Sequence, residues 1–188
     1  MKRIVTASQT VGPFFRGGMA LVAPLGAGGI PGERIVIGGR LLDAAGAGVS
    51  DGVVETWQAN SRGKYAHPAD GQDKQTTPGF TGFGRTFTGA DGAFRIETIR
   101  PGAVPWLQAG QQAPHLNVLV FARGLLRHLV TRVYFQDDPL LAADPVLRLV
   151  RDAPRRETLI ARQDGSRPGG YRWDIVLQGA RETVFFDC

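Results

Sequence analysis

A chain of 188 residues, 43% apolar and 21% charged, is long enough to bury one core, and this composition excludes a disordered chain and a membrane span. The formal charge of +5 comes from basic residues scattered among Asp and Glu, which argues against nucleic-acid binding and suits a small anionic substrate. The only cysteine is Cys188, so no disulfide can form within the chain; together with a start that lacks a signal-peptide core, this predicts a cytoplasmic protein.

Apolar runs separated by Gly, Pro and Asp turns predict an all-β, single-domain β-sandwich with long loops and very little helix. Residues 1–33 are apolar and rich in Gly and Pro, and we expect them to form an N-terminal arm outside a sandwich domain of residues 34–188. The predicted strands cover residues 34–42, 53–59, 87–88, 93–97, 115–122, 128–135, 158–161, 171–177 and 182–186.

The segments between the strands predict three further features. The turn sequence Gly-Ala-Asp-Gly at 89–92 favours a hairpin. Residues 60–84 form a polar loop long enough to carry function or to contact a partner. Residues 140–150 are the one helical candidate, and we expect Pro145 to split it.

The histidines are the first candidates for chemistry. There are three of them, His67, His115 and His128, too few and too dispersed for a zinc signature. Alternation along the strand from 115 to 122 directs His115 and Asn117 to the same side. A single strand histidine is more often structural than functional, so the residues alone leave open a metal site, part of one, or a polar spot in a strand.

Seven short motifs, in order along the chain, carry a resemblance to a known family. They are VETWQAN (54–60), GKY (63–65), GRT (84–86), TIRPG (98–102), VPW (104–106), PH (114–115) and RVYF (132–135). With SQTVGP (8–13), RRETLIA (155–161) and ETVFFD (182–187) they extend over nearly the whole sequence, which resembles the intradiol ring-cleavage dioxygenases.

This resemblance implies a β-sandwich that, in catalytic chains, holds one non-haem Fe(III) through two tyrosines and two histidines. Phenolate oxygens are hard anionic donors that stabilise ferric iron. Tyr65 matches the first tyrosine position and His115 the first histidine position, whereas Val104 and Asn117 stand at the second tyrosine and the second histidine. Valine has no donor atom and an amide oxygen is a weak neutral one, so we expect all four to be vestigial ligand positions that bind no metal.

Two more positions differ from those of the catalytic chains. One further histidine lies near Tyr65 but is not a ligand in those chains. Gln112 replaces an arginine that precedes the first histidine by three residues, and Arg132 replaces a glutamine. His67 lies two residues after Tyr65, but catalytic chains carry a histidine there without using it as a ligand. The departures together resemble a non-catalytic alpha subunit, and they predict no catalytic residue in this chain alone.

The resemblance further implies a partner and a reaction. We expect a hetero-oligomer of higher order in which a beta subunit of the same enzyme binds the Fe(III). That enzyme cleaves protocatechuate with O2 to 3-carboxy-cis,cis-muconate. In such assemblies the arm of the alpha chain contacts the partner chain and helps to wall its active site.

The predicted substrate-binding residues are Thr10, Gly12 and Pro13 of the arm, together with Arg132 of a strand. The residues alone favour other roles, namely an arm that packs on its own domain and an arginine in a structural ion pair. With the resemblance, we rank a role in filling the empty iron pocket first for Arg132 and attraction of the substrate carboxylate second.

Two alternatives stay open at this point. One is a self-sufficient intradiol catechol-type dioxygenase with altered ligands. The other is a non-enzymatic, transthyretin-like binding module, which the turn at 43–46 and the following strand at 53–57 also suit.

Overall fold

A computed structural model describes residues 6–12, 14–23, 29–106 and 110–187. Its strands are β1 (Arg34–Leu42), β2 (Val53–Gln58), β3 (Phe83–Phe87), β4 (Ala93–Ile99), β5 (Val104–Pro105), β6 (Gln111–Gln112), β7 (His115–Phe121), β8 (Leu129–Phe135), β9 (Ile160–Gln163), β10 (Gly170–Arg172) and β11 (Ile175–Val176). The helical segments are short: α1 (Pro145–Leu149), α2 (Ala153–Glu157) and two 3-10 turns at Arg16–Gly18 and Leu141–Ala143.

Two groups of strands face each other. One group is β3, β2, β7 and β8, which pair antiparallel with one another, and the other is β4, β1, β10 and β11. Strand β9 joins them, because it pairs parallel with β8 and antiparallel with β10. Both groups contribute to one buried core, which includes Ile35 and Ile37 of β1, Val118 of β7 and Val133 of β8. The prediction of a β-sandwich is confirmed.

Alternation of side chains explains why these segments are strands. In β1 the buried positions Ile35, Ile37 and Leu41 are separated by less buried ones. In β7 the positions from Leu116 onward alternate strictly, with Leu116, Val118 and Val120 fully buried. Period-two burial of branched apolar residues is the pattern of a strand with one face on a core. The predicted strands at 34–42 and 115–122 are therefore confirmed almost to the residue.

The predicted hairpin at 89–92 is wrong in its pairing. The turn itself forms, since the Gly89 N–H donates to the Ala93 carbonyl at 2.8 Å. The strands on either side of the turn do not pair with each other: β3 pairs with β2, and β4 pairs with β1 in the other group. Local turn chemistry cannot distinguish a hairpin from a corner between two sheets, because both need the same tight reversal.

Differences also occur toward the C-terminus. The helical candidate at 140–150 is split as predicted, into the 3-10 turn and α1. Pro145 is also the first residue of α1, because Asp144 caps the helix and accepts from the N–H groups of Val146 and Leu147. Helix α2 was not predicted, although Asp152 caps it in the same way. The predicted last strand at 182–186 is wrong and reduces to a single bridge from Phe186.

The described part of the N-terminal arm lies on the sandwich. The Phe15 ring is 5.6 Å from that of Phe121, and the Arg16 guanidinium donates to the Thr88 carbonyl at 3.1 Å. Val22 forms an isolated antiparallel bridge with Arg85 of β3. Within the described ranges, no helix has the length and apolar character needed to cross a membrane.

Candidate functional site

The β7–β8 hairpin brings the candidate residues together at its open end. Its register places His115 opposite Tyr134 and Asn117 opposite Arg132, so these four side chains share one face. Tyr65 reaches this face from the long loop after β2, and Val104 lies nearby in the short β5–β6 ladder, opposite Gln112. We call Tyr65, Val104, Gln112, His115, Asn117, Arg132 and Tyr134 the central cluster.

Asn117 and Tyr65 are bound to each other. The Asn117 Nδ2 donates to the Tyr65 phenol oxygen at 3.2 Å and also approaches the Trp57 carbonyl at 3.4 Å. The Trp57 and Tyr65 rings stack, with centroids 6.1 Å apart and an interplanar angle of 8°. Burial raises the pKa of the Tyr65 phenol, so it is a neutral hydroxyl at physiological pH.

The long loop that carries Tyr65 is fixed by a buried ion pair. The Lys64 ammonium donates to the backbone carbonyls of Asp70 and Gln72, each at 2.6 Å, and to the Asp70 carboxylate at 3.3 Å. Asp70 also accepts from the Tyr65 N–H at 2.8 Å. Because both side chains are 9% exposed, the pair is largely shielded from solvent and holds Tyr65 in position over β7.

His115 is buried and has one bonded nitrogen. Its Nδ1 lies 2.7 Å from the Ala113 carbonyl, which requires Nδ1 to carry the proton and donate. Nε2 has no hydrogen-bond partner among the described residues. Burial, reinforced by the nearby charge of Arg132, lowers the pKa of His115 to about 3, so the ring is neutral.

Arg132 is connected to a carboxylate through a tyrosine. One of its guanidinium nitrogens donates to the Gln112 side-chain oxygen at 2.7 Å and lies 3.4 Å from the Tyr134 hydroxyl. That hydroxyl lies 3.3 Å from the Asp144 carboxylate, which is fully buried and also accepts from the Ala113 N–H at 2.7 Å. In the part of the chain that the structure describes, Arg132 forms no direct ion pair.

These residues do not fit a ferric ion. Val104 offers no donor, and the amide of Asn117 is already bonded to Tyr65. The guanidinium of Arg132 stands opposite Asn117 and adds positive charge where a cation would need anionic ligands. Of the four family ligand positions, only His115, through its Nε2, and Tyr65, through its phenol oxygen, have the chemistry of ligands, and the Tyr65 phenol is neutral.

An open recess adjoins the central cluster and has an aromatic wall. It has a volume of about 530 Å³ and is lined in part by Trp57, Tyr65, Val104, Trp106 and Gln112. His67 also lines it, with its ring edge-on to Trp57, and its Nδ1 accepts from the Ala69 N–H. His67 is thus bonded within its own loop turn, and among the described residues it makes no hydrogen bond to Tyr65.

The predicted arm residues lie elsewhere. Thr10 accepts a hydrogen bond from the Gly124 N–H at 2.7 Å, so it contacts the turn that closes the β7–β8 hairpin, at the opposite end from His115. Gly12 is exposed and follows Thr10 by two residues, and Pro13 lies outside the described residues. The predicted substrate-binding residues therefore do not converge within this chain: Arg132 belongs to the central cluster, and Thr10 does not.

Sequence reasoning missed Asp144, which connects the cluster to α1. Its buried carboxylate accepts from the N–H groups of Ala113, Val146 and Leu147 and from Tyr134. The Asp-Pro pair at 144–145 is a helix-start signal and could have revealed the cap. Nothing local could have revealed its contact with the strands.

The β-sandwich and the central cluster together indicate the class of protein, and a family match agrees with them. Residues 22–179 match the family described as Dioxygenase (Dioxygenase_C), and the chain belongs to this family. The resemblance to intradiol dioxygenases is confirmed.

The relatives specify the subunit type. The chain is 43% identical to the protocatechuate 3,4-dioxygenase alpha chain of Burkholderia cepacia, over 97% of this chain and 96% of that one. It is 42% identical to the protocatechuate 3,4-dioxygenase beta chain of the same organism, over 81% of this chain and 67% of that one. The solved dioxygenase domain of a dioxygenase carbohydrate-binding protein fusion from Streptomyces sp. SirexAA-E superposes with a TM-score of 0.63 at 26% identity, covering 93% of this chain and 99% of that one.

Proposed function

We propose that this chain is the non-iron-binding alpha subunit of a protocatechuate 3,4-dioxygenase. It would pair with a beta subunit that holds the Fe(III) and cleaves protocatechuate with O2 to 3-carboxy-cis,cis-muconate. The proposal includes a hetero-oligomer and a cytoplasmic location, which the absence of any possible disulfide within the chain supports.

One observation carries the proposal: a family fold is kept while its metal positions are occupied by groups that cannot bind iron together. Val104 and Asn117 replace two ligands, and Arg132 supplies a positive charge beside them. The surviving Nε2 of His115 is a buried nitrogen without a partner in the described chain, as expected for a ligand whose metal has been lost. The identity to an alpha chain over nearly the full length supports the same assignment.

Arg132 is assigned to the emptied metal position. Its bonds to Gln112 and, through Tyr134, to Asp144 connect β6, β8 and the start of α1. In this role a fixed guanidinium replaces the charge of the ion and holds the surrounding strands. The pocket-filling role is thus preferred over contact with substrate.

The arm is assigned to the partner. Thr10, Gly12 and Pro13 would help to wall the active site of the beta subunit. A Cβ added at Gly12 would meet nothing within 4 Å among the described residues, so no contact that the structure describes requires a glycine there. A glycine at this position would allow another molecule to approach the backbone closely.

Coexpression with a beta subunit tests the subunit assignment. The chain expressed alone is expected to be free of iron and inactive, and the coexpressed pair is expected to contain iron and cleave protocatechuate. Iron would be counted by atomic absorption, and turnover would be followed by O2 uptake. Stoichiometric iron with a purple-red phenolate band in the chain alone would instead support a self-sufficient enzyme.

Substitution of Gly12 tests the arm assignment. Gly12→Phe is expected to leave the melting temperature of the chain unchanged but to raise the KM for protocatechuate in the assembled enzyme. Gly165→Phe is the control, because an added Cβ there also meets nothing within 4 Å and the residue lies in an exposed turn outside the arm. Equal kinetics for the two variants would contradict a role of the arm at the active site.

A further inference from the structure

The divergence of β3 and β4 leaves a recess between the two strand groups. It has a volume of about 270 Å³ and lies where β4 faces the edge of β3, with part of the arm beside it. We call it the edge recess, and define it by Val22, Val54, Thr56, Thr86 and Ile96. It shares no residue with the central cluster.

The walls of the edge recess are mostly apolar and are held in place. Val54 and Ile96 belong to the main core and face inward. Val22 covers the recess from the arm and is fixed by two backbone hydrogen bonds with Arg85, of 3.1 and 2.8 Å. The arm segment therefore covers the recess as an extra strand residue on the edge of β3.

Thr56 gives the recess a polar position. It is 2% exposed, and its hydroxyl has no hydrogen-bond partner within the described ranges. Other buried threonine hydroxyls are satisfied: Thr98 bonds Gln58 at 2.6 Å, and Thr131 bonds the Val184 carbonyl at 2.7 Å. A buried hydroxyl without a partner is unfavourable, so a molecule that supplied one would bind with an advantage.

The charges at the recess are already neutralised. Arg85 pairs with Glu55 at 2.6 Å, and Arg95 pairs with Glu97 at 2.7 Å. Because each guanidinium already has a carboxylate beside it, an added carboxylate or phosphate would gain less here than beside an unpaired arginine. The combination of apolar walls and one unsatisfied hydroxyl suits an uncharged ligand.

We propose that the edge recess binds a small, uncharged, apolar molecule that carries one hydroxyl or carbonyl group. The apolar part contacts Val22, Val54 and Ile96. The Thr56 oxygen has almost no accessible surface in its present rotamer, so the side chain must rotate about its Cα–Cβ bond for the hydroxyl to bond the polar group. The recess does not depend on the proposed subunit role, and iron content and ring cleavage report on that role separately.

Cyclohexanol and methylcyclohexane test the proposal, because they have nearly the same shape and differ in the hydroxyl. Equilibrium dialysis against the full chain, purified with its partner subunit where necessary, is expected to show saturable binding of cyclohexanol, about tenfold tighter than that of methylcyclohexane. Thr56→Val keeps the shape of the side chain and is expected to abolish this preference. Thr76→Val, at an exposed threonine, is the control.

A second variant covers the case in which Thr56→Val does not fold. Ala23→Phe places a ring over the recess from its exposed rim and is expected to remove the binding of both molecules. The proposal is overturned if the unaltered protein binds neither molecule saturably, which would mean that the recess holds water only. It is equally overturned if the preference for cyclohexanol persists in Thr56→Val or if binding persists in Ala23→Phe.

Discussion

The two ends of the β7–β8 hairpin differ in how their polar groups are used. At the open end, His115, Tyr134 and Asp144 are buried and bonded to one another or to nearby backbone. At the closed end, the turn exposes Leu126, donates from the Gly124 N–H to Thr10 of the arm and pairs Arg123 with Asp51. At the end that matches a family's metal positions, the polar side chains are thus bonded within the chain, although Tyr65, Val104 and Gln112 also line an open recess there. The other end contacts the arm. The side chains at the positions that resemble a metal site thus connect β6, β8 and the start of α1.

The largest effect is expected from variants that restore iron binding at the open end of the β7–β8 hairpin. Val104→Tyr with Asn117→His restores the missing donors, but we expect no bound iron while Arg132 keeps its charge opposite residue 117. Adding Arg132→Gln is expected to give a ferric-phenolate band and near-stoichiometric iron. Visible absorption and atomic absorption check both, and iron in the double variant would refute the role given to Arg132.

The next largest effect is expected at Asp144. Asp144→Ala leaves the buried N–H groups of Ala113, Val146 and Leu147 without their acceptor, which is expected to cost about 3 to 5 kcal/mol of unfolding free energy. Asp152→Ala removes only the exposed cap of α2 and is expected to cost about 1 kcal/mol. Urea denaturation of the two variants measures the difference. Equal losses would show that Asp144 acts only as a helix cap.

His115 makes the open end sensitive to pH. Its folded-state pKa of about 3 lies below the ordinary value of 6.5, so the unfolded chain binds the extra proton first, and stability falls as pH falls below 6.5. Between pH 6.5 and pH 5 the loss from this residue is expected to be about 1.6 kcal/mol. His115→Asn should flatten that slope, whereas His67→Gln, at an exposed histidine, should not. Parallel slopes for all three proteins in urea titrations would contradict the neutral buried ring.

The smallest effect is expected at the closed end. Thr10→Ala removes one exposed hydrogen bond to Gly124 and is expected to change the unfolding free energy by less than about 0.5 kcal/mol. The same substitution should raise the KM for protocatechuate in the assembled enzyme. Urea denaturation and steady-state kinetics together separate the two effects, and a change in stability without a change in KM would mean that the arm serves only its own domain.

The alternation of apolar and polar residues predicted the positions of the strands better than it predicted which strands pair. Burial alternation was enough for β1 and β7, and a short turn was enough to pair β7 with β8. The contact between Tyr65 and Asn117 spans 52 positions, and no periodicity relates the two, so it was reachable only through the family motifs. The same holds for the connection from Arg132 through Tyr134 to Asp144, which depends on how α1 packs below the hairpin.

The parallel pairing of β1 has a consequence for synthesis. β1 begins at residue 34, but its parallel neighbours β10 and β11 begin at residues 170 and 175. One edge of an apolar strand therefore stays open on the ribosome until most of the chain has been translated, and contacts this distant in sequence also form slowly. During that interval β1 is exposed to wrong pairing with other nascent chains, so the yield of folded subunit should depend on translation speed and on chaperones more than its final stability suggests.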